Sequence, residues 1–357
     1  MRTNEEKREN LITLCSFEEL NYNQRSRLLS GSDGCTPDFS KCGDNLIKTL
    51  SHGVYNKVKE SFYDGEYRNR IFGELQKRGI FCVTIADSDY PEELKKIPCP
   101  PITLFCKGRR ELLKERAFAV VGSRRTGTAA YSLTRKIAAD LTSAFAVVTG
   151  NADGADSAAL EGALPSGKVI CVLAHGLDAA YSLSTAPLVK EAEKRGLVIG
   201  EHFPTVAARS YFYPVRNRII AGLAEGGLIA SAGNKSGALI TAEYLDEYSR
   251  KLFALPYQPN TPSGEGCNAL IKHGAYLCEN AADIFSVFGI EAGIPANELS
   301  ADERALFEAI RAEGEAFLPA VAEKLGKLPF QLIPVISKLE IKGLVVRLGG
   351  NRYSVIK

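Results

Sequence analysis

No two cysteines in this chain are spaced C-x-x-C, although nine cysteines are present. That absence excludes zinc-ribbon and thioredoxin-type chemistry. Four histidines (His52, His175, His202, His273) show neither metal-ligand spacing nor an adjacent nucleophile. Each reads as a structural histidine. No apolar run approaches the length that crosses a bilayer. The charged start, residues 1–10, lacks the apolar centre of a signal peptide. A net charge of +2 is too small to attract a polyanion by bulk field. Any polyanion site must be a local cluster. Thiols inside apolar runs, such as Cys82 and Cys171, suit a reducing compartment, so a cytoplasmic location is expected.

What is present is an ordinary globular composition over 357 residues, 45% hydrophobic and 24% charged. It suffices for two or three domains. Residues 1–78 have apolar positions at helical spacing and polar breaks, as in a small helical domain. Residues 79–289 form the second region, and from residue 117 it alternates two signals. Short apolar strand-like runs occur at 117–121, 145–149, 169–173, 197–199, 228–230 and 252–255, with helical patterns between them. This predicts an α/β fold, a doubly wound parallel sheet covered by helices on both faces. Residues 290–299, with Gly293, Pro295 and Asn297, read as a linker. Residues 300–357 carry helical periodicity and then a Gly349-Gly350 turn between two short strands, which describes a winged helix-turn-helix. Nine Lys/Arg against seven Asp/Glu in that segment do not demand a nucleic-acid surface.

Ligands in an open α/β sheet bind at the carboxyl ends of the strands. Three glycine-marked loops follow predicted strands: Gly122-Ser123-Arg124-Arg125, the stretch from Gly150 to Gly154, and Gly233 to Gly237 with Lys235 and Ser236. Glycine lets a backbone approach a ligand closely, and a helix N-terminus offers free N–H groups to a phosphate. Arg124 and Lys235 add formal charge there. Tyr211 to Arg218 set aromatics beside Arg216 and Arg218, the ingredients of single-strand binding. The bland reading of the two arginines is a solvated helix face. Enzyme templates fare worse. Gly122 to Gly127 lacks the middle glycine of the dinucleotide fingerprint, and Asn234 stands where a P-loop needs glycine before its lysine. Asp156 and Glu201 are candidate acids without an evident partner.

Order and spacing of motifs over about 200 residues resemble the bacterial DNA processing protein A (DprA/Smf) family. The matching segments include Asp89-Tyr90-Pro91, Val120 to Arg124, Tyr213 to Ile219, Lys235-Ser236-Gly237, Thr241-Ala242 and Gly266 to Ile271. The resemblance implies a Rossmann-like core that binds single-stranded DNA, usually as a homodimer. It implies loading of RecA recombinase onto incoming strands during natural transformation, with no catalytic residues, metal or cofactor. It makes residues 1–78 SAM-like and residues 300–357 the winged helix that many members carry. Carried over by motif, the DNA contacts are Gly122, Ser123, Arg124, Gly154, Arg216, Asn217, Arg218, Lys235, Ser236, Gly237, Asn268 and Lys272.

The chain departs from the family pattern at Asp153, at Leu160 in place of a histidine, at Ser231-Ala232 in place of Glu-Ala, and at Pro256-Tyr257 in place of Pro-Gly. An acid at Asp153 is expected to repel a phosphate approaching that loop. The alternative reading is a nucleotide-binding or nucleotide-hydrolysing Rossmann-like protein. Such an enzyme wants a Pro-Gly-Gly loop near a glutamate, and Glu243 follows Gly233–Gly237 without it.

Overall fold

The computed structural model describes residues 3–30, 33–39, 50–179, 184–290, 299–342 and 344–355. The chain divides into two compact units, Met1–Ile290 and Glu291–Lys357. Most of the expected linker, residues 290–299, lies outside the described residues.

The first unit opens with helices α1 (Asn4–Cys15), α2 (Tyr22–Leu29), α3 (His52–Tyr63) and α4 (Gly65–Lys77). Each starts at a side chain that accepts a backbone N–H: Thr3, Asn21, Ser51 and Asp64. Such caps satisfy donors that a helix start leaves orphaned. The following nine strands are β1 (Phe81–Thr84), β2 (Thr103–Gly108), β3 (Ala117–Gly122), β4 (Ala146–Thr149), β5 (Val169–Leu173), β6 (Leu197–Gly200), β7 (Gly226–Ser231), β8 (Lys251–Ala254) and β9 (Tyr276–Leu277). The short α5 (Glu92–Lys95) sits between β1 and β2. Helices α6 (Thr128–Leu141), α7 (Ala155–Ala163), α8 (Ala186–Arg195), α9 (Phe212–Leu223), α10 (Ala238–Glu247), α11 (Glu265–Lys272) and α12 (Ala281–Val287) follow.

The strands lie in the order β1-β2-β6-β5-β4-β3-β7-β8-β9. From β6 to β9 every neighbouring pair is parallel, as the strand–helix alternation predicts. β1 and β2 extend the β6 edge in antiparallel fashion. Their apolar runs mark strands but carry no information about direction.

Alternation along each strand sends residues to two cores. In β3, Phe118 and Val120 join one cluster, and Ala117, Ala119 and Val121 join the other. In β5, Val169, Cys171 and Leu173 go one way, Ile170 and Val172 the other. Such period-2 partition of wholly apolar strands is what a sheet covered on both faces requires. Ile137 and Leu141 of α6, Ala159 of α7 and Val189 of α8 fill the first core. Ile219 and Leu223 of α9, Ala238 of α10 and Cys267 of α11 fill the second. The winding therefore changes face after β6, and β3 and β7 lie side by side where it does. Residues of α1 to α4, among them Leu11, Leu14, Val58 and Leu75, belong to the same first core as Phe105 and Phe118.

The second unit holds α13 (Ala301–Glu313), β10 (Glu315–Phe317), α14 (Leu318–Lys324), α15 (Pro329–Ile341), β11 (Val345–Gly349) and β12 (Arg352–Val355). A reciprocal capping box of Ser300 and Glu303 starts α13. The strands pair antiparallel in the order β10-β12-β11. Gly349, Gly350 and Asn351 take positive φ in the turn before β12. Leu306, Ile310, Val321, Leu332, Ile336, Leu339 and Tyr353 make a core of their own. Among the described residues no helix is long and apolar enough to cross a membrane.

The shared core of the first unit has a measurable consequence. Leu14 is fully buried, and Leu14→Ala is expected to cost about 2–5 kcal/mol. In a thermal melt the main transition of the first unit should move down as a whole. An early, separate transition of the N-terminal helices, with the main one unmoved, would contradict the shared core.

Candidate anion site at the switch between β3 and β7

Strands β3 and β7 are adjacent in space but far apart in sequence, because the chain first builds β4, β5 and β6 on one side. The loops leaving their carboxyl ends diverge toward opposite faces and leave a crevice, the usual ligand position in such sheets. A cavity of about 440 Å³ lies there. Its lining brings together Gly122 at the end of β3 with Ser123 and Arg124 after it, Arg216 and Asn217 of α9, and Ser236 and Gly237 before α10. These seven sequence-predicted residues come from three separate segments. Tyr213, Arg125 and Asp156 also line it.

Two glycines make the crevice possible. A Cβ on Gly122 would stand 2.6 Å from the Ala155 Cβ and 2.9 Å from the Ser231 nitrogen. Gly154 has φ +80°, and a Cβ there would collide with the carbonyl oxygen of Ser123. The Ala155 N–H donates to that same oxygen at 3.2 Å. Gly154 thus docks α7 against the first loop rather than lining the cavity. The loop is further held by Ser231, whose hydroxyl accepts from the Ser123 N–H (3.0 Å) and shares a hydrogen bond with Thr126 (2.8 Å). The serine that departs from the family pattern therefore has a defined structural task.

In contrast to α1–α4, helices α7 and α10 begin at Gly154 and Gly237 with no side-chain cap. Their first turns reach the cavity through Asp156 and Ala238. The guanidinium of Arg124, exposed at the rim, lies over the Tyr213 ring at 5.4 Å. Asn217 donates to the Gly237 carbonyl at 3.4 Å and ties α9 to the second loop.

Arg216 is 6% exposed and Arg218 5%, so neither lies on a solvated face. Two residues along a helix is about 200° of rotation, and the pair points to opposite sides of α9. Arg216 donates to the Val172 carbonyl and lines the crevice. Arg218 instead grips both oxygens of Glu201 at 2.6 and 2.7 Å and stacks on Tyr22. Glu201, unpaired in the sequence, thus has its partner.

Asp156 lies in the field of Arg216 without forming an ion pair with it. Burial pushes its carboxyl up from the ordinary 3.8 to about 6, while Arg216 and the backbone N–H groups of Ala152 and Gly122 pull it down. Burial likewise depresses the Arg216 guanidinium, against the attraction of Asp156. Gly150 has no room for a side chain because this pair occupies the space beside it. The coupling escaped sequence reading because it closes through α9, 60 residues downstream. The available signal was an acid in the first turn of a glycine-started helix.

The structure does not bring the remaining predicted residues into this cavity. Lys235 is exposed on the turn before Ser236 and lies outside the lining. Asn268 pins the loop after β8, accepting from the Tyr257 N–H at 3.0 Å and donating to its carbonyl at 2.9 Å. With Lys272 it borders a different cavity of about 530 Å³. Tyr257 fills the space beside Gly264 and donates to the Ala230 carbonyl at 2.7 Å. Asp153, expected to face an incoming phosphate, is exposed, accepts from the Ser184 hydroxyl and does not line the crevice. Leu160 is buried in the first core.

This geometry defines a class: a doubly wound α/β protein with an arginine- and glycine-lined crevice at its topological switch point. Within that class the chain belongs to the DNA recombination-mediator protein A family, whose pattern matches residues 81–289. It is 37% identical over 216 residues to DNA processing protein DprA of Streptococcus pneumoniae, covering 60% of this chain and 76% of that protein. The crystal structure of the S. pneumoniae DprA superposes with a TM-score of 0.68 at 30% identity, over 80% of this chain and 98% of that one. DNA processing protein A from Helicobacter pylori, whose structure is described in terms of its single-stranded DNA binding mode, gives a TM-score of 0.53 at 27% identity. That match covers 58% of this chain and 95% of the H. pylori chain.

The raised value of Asp156 gives a pH signature. Between about pH 4 and pH 6 the native state holds a proton that the unfolded chain has released, so this group's contribution to stability falls as pH rises through that window. Asp156→Asn removes the effect. The variant's stability relative to the parent should rise from pH 4 to pH 6, by up to about 3 kcal/mol, and stay level above pH 7. Denaturant titrations at five pH values check this, and a flat difference would refute the buried carboxylate.

Proposed function

We propose that the crevice between β3 and β7 holds the phosphate backbone of single-stranded DNA, and that the protein is a recombination mediator rather than an enzyme. The observation that carries the reading is the convergence of two uncapped helix starts with Arg124 and Arg216 at one switch point. Helix N-termini and guanidinium forks suit phosphate oxygens. The Arg124–Tyr213 stack at the rim offers a surface for a base. The single-stranded DNA binding named for the H. pylori relative supports the same reading.

On this reading Lys235 adds charge at the rim, and Gly154 shapes the floor. Arg218, Asn268 and Lys272 hold the scaffold or meet the strand beyond the crevice. Loading of RecA, protection of incoming strands in natural transformation and assembly as a homodimer are supported by the family resemblance. So are a SAM-like role for residues 1–78 and a winged-helix role for residues 300–357, whose three helices and terminal hairpin suit that motif. Eight described cysteines are free, six of them buried, which suits a reducing cytoplasm.

A second reading, nucleotide hydrolysis, draws on one observation, the Asp156 carboxyl near pH 6 at a cavity wall. Its position opposes that role: the carboxylate accepts from the Ala152 N–H at 3.3 Å and faces Arg216, which leaves it engaged rather than free to move a proton.

Arg124→Ala is expected to weaken binding of a dT oligonucleotide about tenfold. It should reduce the log–log salt slope by about 0.7 and depend little on base sequence. Lys235→Ala should act in the same direction with a smaller effect, and duplex of equal length should bind more weakly than single strand. Fluorescence anisotropy across a salt series measures all three. Unchanged affinity in both variants would sink the assignment of this face.

A further inference from the structure

A second cavity, of about 550 Å³, opens on the far side of α9, between α1, α2 and the segment that follows β6. It shares no lining residue with the switch-point crevice. Three arginines reach it: Arg25, Arg209 and Arg218. Each carboxylate in its wall already has a cation. Glu201 is held by Arg218, Glu19 by Lys57 at 2.9 Å, and Glu18 lies 4.0 Å from Arg209.

Arg25 is the exception. It is 6% exposed and donates one side-chain hydrogen bond, to the Phe17 carbonyl at 2.8 Å. No carboxylate among the described residues lies within ion-pair distance of it, and its Nε has no acceptor. The Nη1 of buried Arg218 also lacks one. A buried cation without a counter-charge is costly and is ordinarily matched by an anion. The surroundings show the field. His202 is pushed down to about 4, by burial first, with Arg25, Arg218 and Arg209 adding to the fall against Glu201.

The rest of the wall is aromatic. Phe212 stacks on His202 at 4.0 Å and meets Tyr211 edge-on at 4.7 Å. Tyr211 is 58% exposed, which leaves ring surface open at the mouth. Cations at the back of a cavity and exposed aromatics at its entrance match a group that is anionic at one end and flat at the other.

We propose that this cavity binds a nucleotide, with its phosphate on Arg25 and its base on the exposed Tyr211 ring. A free mononucleotide and the phosphorylated end of a strand present the same chemistry. The inference stands apart from the strand reading of the crevice, because α9 separates the two cavities and turns Arg216 and Arg218 to opposite sides.

The test is calorimetric titration of the full chain with AMP, with a 5′-phosphorylated dT oligonucleotide and with its 5′-hydroxyl counterpart. Arg25→Met and Tyr211→Ala are each expected to weaken AMP binding about tenfold, and Arg124→Ala to leave it unchanged. If the source is a strand end, AMP does not bind, and the 5′-phosphate tightens strand binding by a margin that Arg25→Met and Tyr211→Ala abolish. Absence of both AMP binding and a 5′-phosphate gain overturns the proposal, as does a gain that survives both substitutions. Tyr211 is exposed, so its variant decides the matter should Arg25→Met fail to fold. Loss of strand binding in Arg124→Ala alone would bear on the crevice and not on this cavity.

Discussion

The reversal of winding at β3 and β7 is the constraint on which the site depends. Right-handed crossovers place α6, α7 and α8 over one face while the chain steps from β3 out to β6. To continue on the other side of β3, the chain must cross to the opposite face, where α9, α10 and α11 pack. Two neighbouring parallel strands then send their carboxyl-end loops apart. Helices α9 and α10 flank the gap, and the side chains of three segments meet there.

Around that gap the chain treats its helix starts in two ways. The N-terminal helices α1 to α4 close their first turns with Thr3, Asn21, Ser51 and Asp64. At the crevice Gly154 and Gly237 stand in the same position and supply no cap. The first N–H of each helix is taken locally, that of Ala155 by the Ser123 carbonyl and that of Ala238 by the Ser236 hydroxyl, and the donors that follow have no capping side chain. The Asp156–Arg216 pair sets the charge of the floor. Each tempers the other, so the rim arginine, Arg124, carries the less compensated positive charge at the crevice.

Helix α9 organises both sides. Its tyrosine, asparagine and first arginine face the crevice, and its second arginine is spent on Glu201 and Tyr22 under the N-terminal helices. The motif that looks in one dimension like a doubled cationic contact is divided by helical geometry between a crevice-lining position and a packing role. The same division places a second cationic and aromatic cavity behind α9, where Arg25 has no carboxylate within ion-pair distance among the described residues.

How much of this was legible follows from what is local. Short apolar runs separated by amphipathic helices announced the α/β class, and the glycine-marked loops at Gly122 and Gly233 announced the strand ends, because both signals lie within a few residues. The motif order identified the family. Strand direction at β1 and β2 was not legible, since an apolar run fits either direction. Nor was the shared core of α1 to α4 with the sheet, because its contacts join residues far apart in the chain. Whether Asp153, Arg218, Asn268 and Lys272 face the crevice was beyond the sequence for the same reason. The sequence by itself determined that a doubly wound domain carries an anion-suited strand end. Only the tertiary structure decided which charges face it, because the electrostatic coupling of Asp156 to Arg216 and the pairing of Glu201 with Arg218 depend on helix rotation and on packing across the sheet.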